Sequence, residues 1–168
     1  MKNLLVFTLA LLVVSTISCK VSSKKKHAYM EKAYASFSES FPDADVKLLH
    51  DSVRIVFPNS IVFKTGSTAI NELFDSKIIR FAKILNQYSH TNVLIVGHTD
   101  NTGEEKINKQ LSKERSIAVQ TRLLEQKVKL SRIETWGLGD KSPVASNETE
   151  EGRSQNRRAE FVILYTSK

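Results

Sequence analysis

The chain has 168 residues, 40% of them hydrophobic and 26% charged, and a formal net charge of +7. That length suits one domain plus an address segment, with enough apolar residues to bury a core. The single cysteine, Cys19, excludes an internal disulfide. Lys2 precedes an apolar run from Leu4 to Val14, and small or polar residues follow up to Cys19. This is the plan of a secretory signal peptide over residues 1–18, and the run is too short to favour a membrane-spanning helix. Its removal takes one lysine and lowers the net charge from +7 to +6. Export makes nucleic acid a poor explanation for the remaining basic balance.

Cys19 is either lost with the signal peptide or retained and lipidated. Ser15-Thr16-Ile17-Ser18-Cys19 resembles a lipobox, with Thr16 where leucine is usual and a fitting Ser18. Cleavage before Cys19 and acylation on it anchor an otherwise soluble domain. No acidic residue follows closely, so a retention signal of the aspartate type is absent. The expected location is therefore the outer membrane, with the domain facing the periplasm. Lys20, Lys24, Lys25 and Lys26 make the new terminus basic. They are read either as a solvated leader or as attraction to anionic head groups. Residues 19–45 read as a lipidated tether. Within it Tyr29, Met30, Ala33, Tyr34 and Phe37 predict a short amphipathic helix over Ala28–Phe41, ended by Pro42. Packing on the domain is preferred over packing on a partner. Fully extended, this tether reaches on the order of 80 Å.

The domain is expected over residues 46–168. Val46–Leu49 and Val53–Phe57 flank His50-Asp51 as a hairpin, and Ile61-Val62-Phe63 reads as a further short strand. A first helix from Thr68 to Tyr88 carries Ile70, Phe74, Ile78, Phe81, Ala82 and Leu85 on one face. Val93–Thr99 is the central buried strand. A second helix runs from Glu104 to Gln126, with Leu111, Val119 and Leu123 as its apolar stripe. Ile133–Trp136 is the next strand, and a polar loop from Asp140 to Arg153 leads to a final strand at Arg158–Tyr165. The fold class is α/β: a mixed sheet with helices on one face, ordered βαβαββ.

Three motifs stand in order: Gly97-His98-Thr99-Asp100-Asn101-Thr102-Gly103; Asn108-x-x-Leu111-Ser112-x-x-Arg115; and Glu151-Gly152-Arg153-x-x-Asn156-Arg157-Arg158. Together they resemble the peptidoglycan-associated domain at the C-terminus of outer-membrane protein A (OmpA), shared by the peptidoglycan-associated lipoprotein Pal. The resemblance covers roughly Val46 to Tyr165 and implies an OmpA-like two-layer α/β sandwich. Two positions depart from the family: Lys64, where aspartate is common, and Leu138, where an aromatic is usual between Gly137 and Gly139. Trp136 is assigned the missing bulk.

The first motif lies where a strand ends and a helix begins, the usual ligand position of α/β sheets. Asn108 and Arg115, seven residues apart, share one helical face. If that face borders the loop, one pocket holds the Asp100 carboxylate, an amide and a guanidinium. A carboxylate holds an ammonium, while arginine takes a carboxylate through two parallel hydrogen bonds, so the pair suits a zwitterion. Diaminopimelate in the peptidoglycan stem peptide carries such a head. By resemblance, Asp100, Arg115, Thr102, Asn108 and the backbone at Gly66 bind it, and Arg157 supports the pocket. The implied protein is not an enzyme and needs no cofactor. It is a tether between outer membrane and peptidoglycan, with other envelope proteins as further partners. Two rivals are an adaptor whose main business is a protein partner, and a cell-wall hydrolase using His98 and Asp100. His98-x-Asp100 is also a metal-ligand spacing, but no third or fourth ligand accompanies it, so His98 is expected to be hydrogen-bonded and structural. Arg153 and Arg158 are expected to fix loops or to be solvated.

Overall fold

The structure is a computed structural model that describes residues 23–64 and 66–167. The expected signal peptide and Cys19 lie outside the described residues. The first described element is a helix, α1, over residues 23–40. It is longer than the Ala28–Phe41 pattern, and it is built into the core. Met30, Ala33 and Phe37, with Phe41 just beyond, have at most 1% of their surface exposed. Phe37 packs 5.0 Å from Phe81, and Phe41 meets Phe57 edge-on. Each such burial contributes roughly 1.5–3 kcal/mol. Residues 23–41, read from the sequence as tether, thus share the domain's core.

Strands β1 (Asp45–Leu49) and β2 (Ser52–Pro58) form the expected hairpin, turning at His50, which takes φ +54°. The expected strand at Ile61–Phe63 is instead a helical turn, α2 (Asn59–Val62); only Phe63 pairs, in a single bridge to Ile70. Pro58 ends the ladder, and Phe63 N–H closes on the Asn59 carbonyl, so the short apolar run curls rather than extends. Helix α3 (Glu72–Gln87) begins four residues after the expected Thr68, because Asn71 caps it by accepting from Leu73 N–H.

Strand β3 (Thr91–His98), helix α4 (Glu105–Glu125) and strand β4 (Ile133–Gly139) follow. They form a parallel strand–helix–strand unit. The end of the expected polar loop is instead a helix, α5 (Glu150–Asn156), capped by Thr149 and running three residues past Arg153. Strand β5 (Arg158–Tyr165) then inserts antiparallel between β2 and β3, giving the order β1-β2-β5-β3-β4. Val53, Ile55, Phe57, Phe161, Ile163, Val93 and Ile95 point at α1, α3 and α4 and are buried. The registers place Arg54, Glu160, Val162, Leu94 and Trp136 on the opposite face. Trp136 is 54% exposed there, so it does not replace the aromatic missing at Leu138.

The first two motifs fix how β3 sits on α4. A Cβ on Gly97 would lie 2.2 Å from the Ser112 carbonyl oxygen, so only glycine lets the strand and helix backbones approach this closely. Ser112 Oγ, at the contact, accepts from Gly139 N–H and ties β4 to the same helix.

Candidate functional site

Beyond the carboxyl ends of β2 and β3 the chain leaves a cavity of about 510 Å³. Asp100 comes from the loop after β3, Asn108 and Arg115 from α4, Gly66 and Phe63 from the segment before α3, and Arg157 from the junction between α5 and β5. Thr102 and Asn59 complete its polar wall. The six residues singled out from the sequence are therefore neighbours around one space.

Asp100 is 7% exposed. Its Oδ1 accepts from the Thr102 N–H at 3.0 Å, and its Oδ2 from Arg157 Nη1 at 2.6 Å. Burial pushes its pKa up, but the Arg157 and Thr102 bonds overcome this and hold it below the usual carboxylate value. Arg157 is thus a direct partner of the carboxylate, and its other arm reaches Glu150 Oε1 at 2.5 Å. Asn108 turns its amide into the loop, donating to the carbonyls of Asp100 and Thr102. It braces the loop's shape.

Arg115 is the odd member. It is 7% exposed, yet makes no ion pair among the described residues. Nε donates to the Ser67 carbonyl at 3.1 Å, and the guanidinium lies over the Phe63 ring, 5.3 Å from its centroid. Burial lowers its pKa, opposed by the charge of Asp100. Gly66 lines the same cavity with φ +64°. Lys64, the departure from the family pattern, pairs outward with Glu72 at 2.9 Å.

The third motif resolves into three jobs. Asn156 pins the loop before α5: its Oδ1 accepts from the N–H groups of Val144 and Ala145. Arg157 turns to Asp100. Arg158 turns away, to Glu160 and the Ser142 carbonyl. Arg153 holds the carbonyls of Asn147 and Glu148, so both outer arginines fix loops. A Cβ on Gly152 would lie 1.9 Å from the Ser146 carbonyl oxygen, so the same loop depends on that glycine.

His98 departs from expectation. Neither ring nitrogen has a hydrogen-bond partner among the described residues, and Nε2 lies 3.5 Å from Glu160 Oε1. Burial, with Arg158 adding to it, pushes its pKa down to about 4. Two contributors were missed from the sequence. Asn59, not singled out from the sequence, donates to the His98 carbonyl at 3.1 Å. Phe63, read as strand, is the platform under Arg115. An aromatic just before a glycine turn was the available signal for the second; the first had none.

Known proteins share this fold and parts of this sequence. The chain is 34% identical over 137 residues to the probable lipoprotein YiaD of Escherichia coli (strain K12), covering 80% of this chain and 63% of that relative's length. A MotB-like protein from Desulfovibrio vulgaris shares the fold at a TM-score of 0.78 and 20% identity, over 87% of this chain and 97% of the other. The peptidoglycan-associated lipoprotein from Burkholderia pseudomallei is similar at a TM-score of 0.57 and 29% identity, over 61% of this chain and 87% of the other. Residues 62–157 match the OmpA family model, and that span holds every cavity residue from Phe63 to Arg157. The chain belongs to the OmpA family.

Proposed function

We propose that this protein is a non-enzymatic anchor that binds peptidoglycan and takes the diaminopimelate head of the stem peptide into the cavity. The observation that carries the reading is Arg115, a buried cation facing a cavity without a carboxylate partner among the described residues. Burying an unpaired charge is costly. A ligand carboxylate offsets that cost through two parallel hydrogen bonds to the planar fork. Asp100 keeps lone pairs for a ligand ammonium beside its bonds to Thr102 and Arg157. Thr102 and the Gly66 backbone line the cavity beside the two charges; Asn108 and Arg157 hold Asp100 and its loop, and the Ser67 carbonyl and Phe63 hold Arg115.

The names of the similar proteins, a probable lipoprotein and a peptidoglycan-associated lipoprotein, support the same role and a lipid on Cys19. That lipid tethers the outer membrane to the wall, with the domain in the periplasm. An added protein partner is compatible with this role. The rival hydrolase needs His98 beside Asp100, whereas His98 lies against Glu160.

Sedimentation with purified peptidoglycan tests the pocket. Asp100→Asn removes the charge that holds an ammonium, and Arg115→Lys keeps charge but loses the fork. Both are expected to bind at least about tenfold more weakly while remaining folded. If either folds and binds like the parent, the two charges do not hold the ligand and the reading fails.

A further inference from the structure

The end of the sheet opposite the cavity carries a different surface. α1 begins there. Lys26 lies 2.7 Å from Asp51 in the β1–β2 turn and over the Tyr165 ring. His27 Nδ1 lies 3.1 Å from the His50 carbonyl oxygen, and the Tyr29 hydroxyl accepts from His90 N–H just before β3. The segment after α4 reaches the same end, where Asn86 donates to the Gln126 carbonyl and Arg132 to the Thr91 carbonyl. Lys24, Lys25, Lys127 and Lys129 are exposed there, and none makes an ion pair among the described residues. Of the acids near this end, Asp51 pairs with Lys26 and Glu125 with Arg122, Glu31 lies 3.5 Å from His27, and the exposed Glu134 in β4 makes no ion pair among the described residues. Among the lysines project Leu49, 47% exposed, and Leu130, 61% exposed. Ammonium groups around exposed leucines are the chemistry of an interfacial contact. The apolar tips enter the head-group boundary while the cations meet lipid phosphate.

Reach adds a second argument. α1 is helical from residue 23 and bound into the core, which leaves only four peptide steps back to Cys19. Extended, these span on the order of 14 Å. The eight residues of β3 place the cavity roughly 25 Å farther away. We propose that the basic end is a docking surface for anionic phospholipid head groups, seating the domain with its cavity directed away from the bilayer. The seating direction rests on the lipid-anchor reading above; the charged surface itself does not.

The test uses the chain from Lys20 onward, which keeps every residue of the described fold and carries no lipid. Its partition onto vesicles of phosphatidylcholine alone is compared with vesicles containing phosphatidylglycerol. Binding is expected only to the second kind, weakening as salt rises. Lys24→Glu/Lys25→Glu and Lys127→Glu/Lys129→Glu are each expected to lower partition at least about fivefold. Lys106→Glu/Lys109→Glu changes net charge equally at the exposed start of α4, near the cavity, and is expected to cost less than about twofold. Each variant is checked by circular dichroism, and either basic-end pair suffices if the other misfolds. No binding of the parent to anionic vesicles, or equal losses in all three variants, overturns the proposal. Intact mass of the mature protein tests the lipid separately. A mass without lipid, with the vesicle order upheld, removes the anchor and leaves the docking surface.

Discussion

Asp100 and Glu160 are both partly buried carboxylates bound by arginines, and their surroundings differ in one respect. Glu160 is saturated. Arg54 grips both its oxygens at 3.0 and 2.8 Å, and Arg158 adds a third bond at 2.8 Å. Burial opposes ionisation, but these bonds hold its pKa down at about 2. Arg54 and Arg158 share this one carboxylate, so each makes an ion pair. At Asp100 the arithmetic is left open: Arg157 takes the carboxylate, and Arg115, in the same cavity, has none among the described residues. A closed network fixes the fold, because each charge already has its partner. An open one leaves a charge for a ligand. Chemically similar residues thus separate into structure and site according to whether the charges are all paired.

The largest expected effect comes from breaking the closed network. Glu160→Ala leaves Arg54 and Arg158 without their carboxylate, and Arg158 is only 4% exposed. We expect a stability loss of about 3 kcal/mol or more in chemical denaturation, with wall binding by the folded fraction retained. Arg115→Ala inverts the pattern. Wall affinity should fall about ten- to a hundredfold, with a smaller stability loss than that of Glu160→Ala, because no ion pair among the described residues is broken.

The Glu160 network and the His98 ring beside it also carry a pH signature. His98 is held neutral, with its pKa lowered from 6.5 to about 4. The unfolded chain therefore binds more protons between those values, and stability falls as pH drops from 6.5 to 4. The contribution of Glu160 is fully present above about 4.5 and is lost as pH falls toward 2. Denaturation at pH 7, 5 and 4 should show the first loss in the parent and a flatter profile in His98→Gln. An unchanged profile contradicts the assignment. The smallest effect is expected at the rim. Glu150 touches Arg157 from solvent, so Glu150→Gln should change wall binding by about twofold or less.

How much of this was legible in the sequence depends on the range of each interaction. The α4 and β5 limits follow from local apolar periodicity and emerge within a residue of expectation. Asp100, Asn108 and Arg115 were readable because a strand end and a seven-residue helical spacing fix their direction. Packing of α1 on the domain was the preferred reading, but its place in the core was not legible. Its aromatic stripe announces a buried face but not which surface buries it, and the partners Phe57 and Phe81 lie far along the chain. The turn at Asn59–Val62 was hidden because a short apolar run reads alike as strand or helix. The pairing of Arg157 with Asp100 and of Arg158 with Glu160 was hidden for another reason. Adjacent residues entering a strand point to opposite faces, and sequence alone does not say which face is the site.

The central claim is that the cavity reads both charges of an amino-acid head, Asp100 taking the ammonium and Arg115 the carboxylate. Calorimetric titration with soluble stem-peptide fragments tests it most directly, using the chain from Lys20 onward so that α1 remains in the core. A diaminopimelate fragment offers both charges on one carbon, a lysine fragment only the amine, and an amidated fragment no carboxylate. The account predicts diaminopimelate first, with the lysine and amidated forms at least about tenfold weaker, because an unsatisfied charged hydrogen bond costs roughly 1.5–3 kcal/mol. Equal affinity for the diaminopimelate and lysine fragments would contradict it, even if the protein still bound whole cell wall.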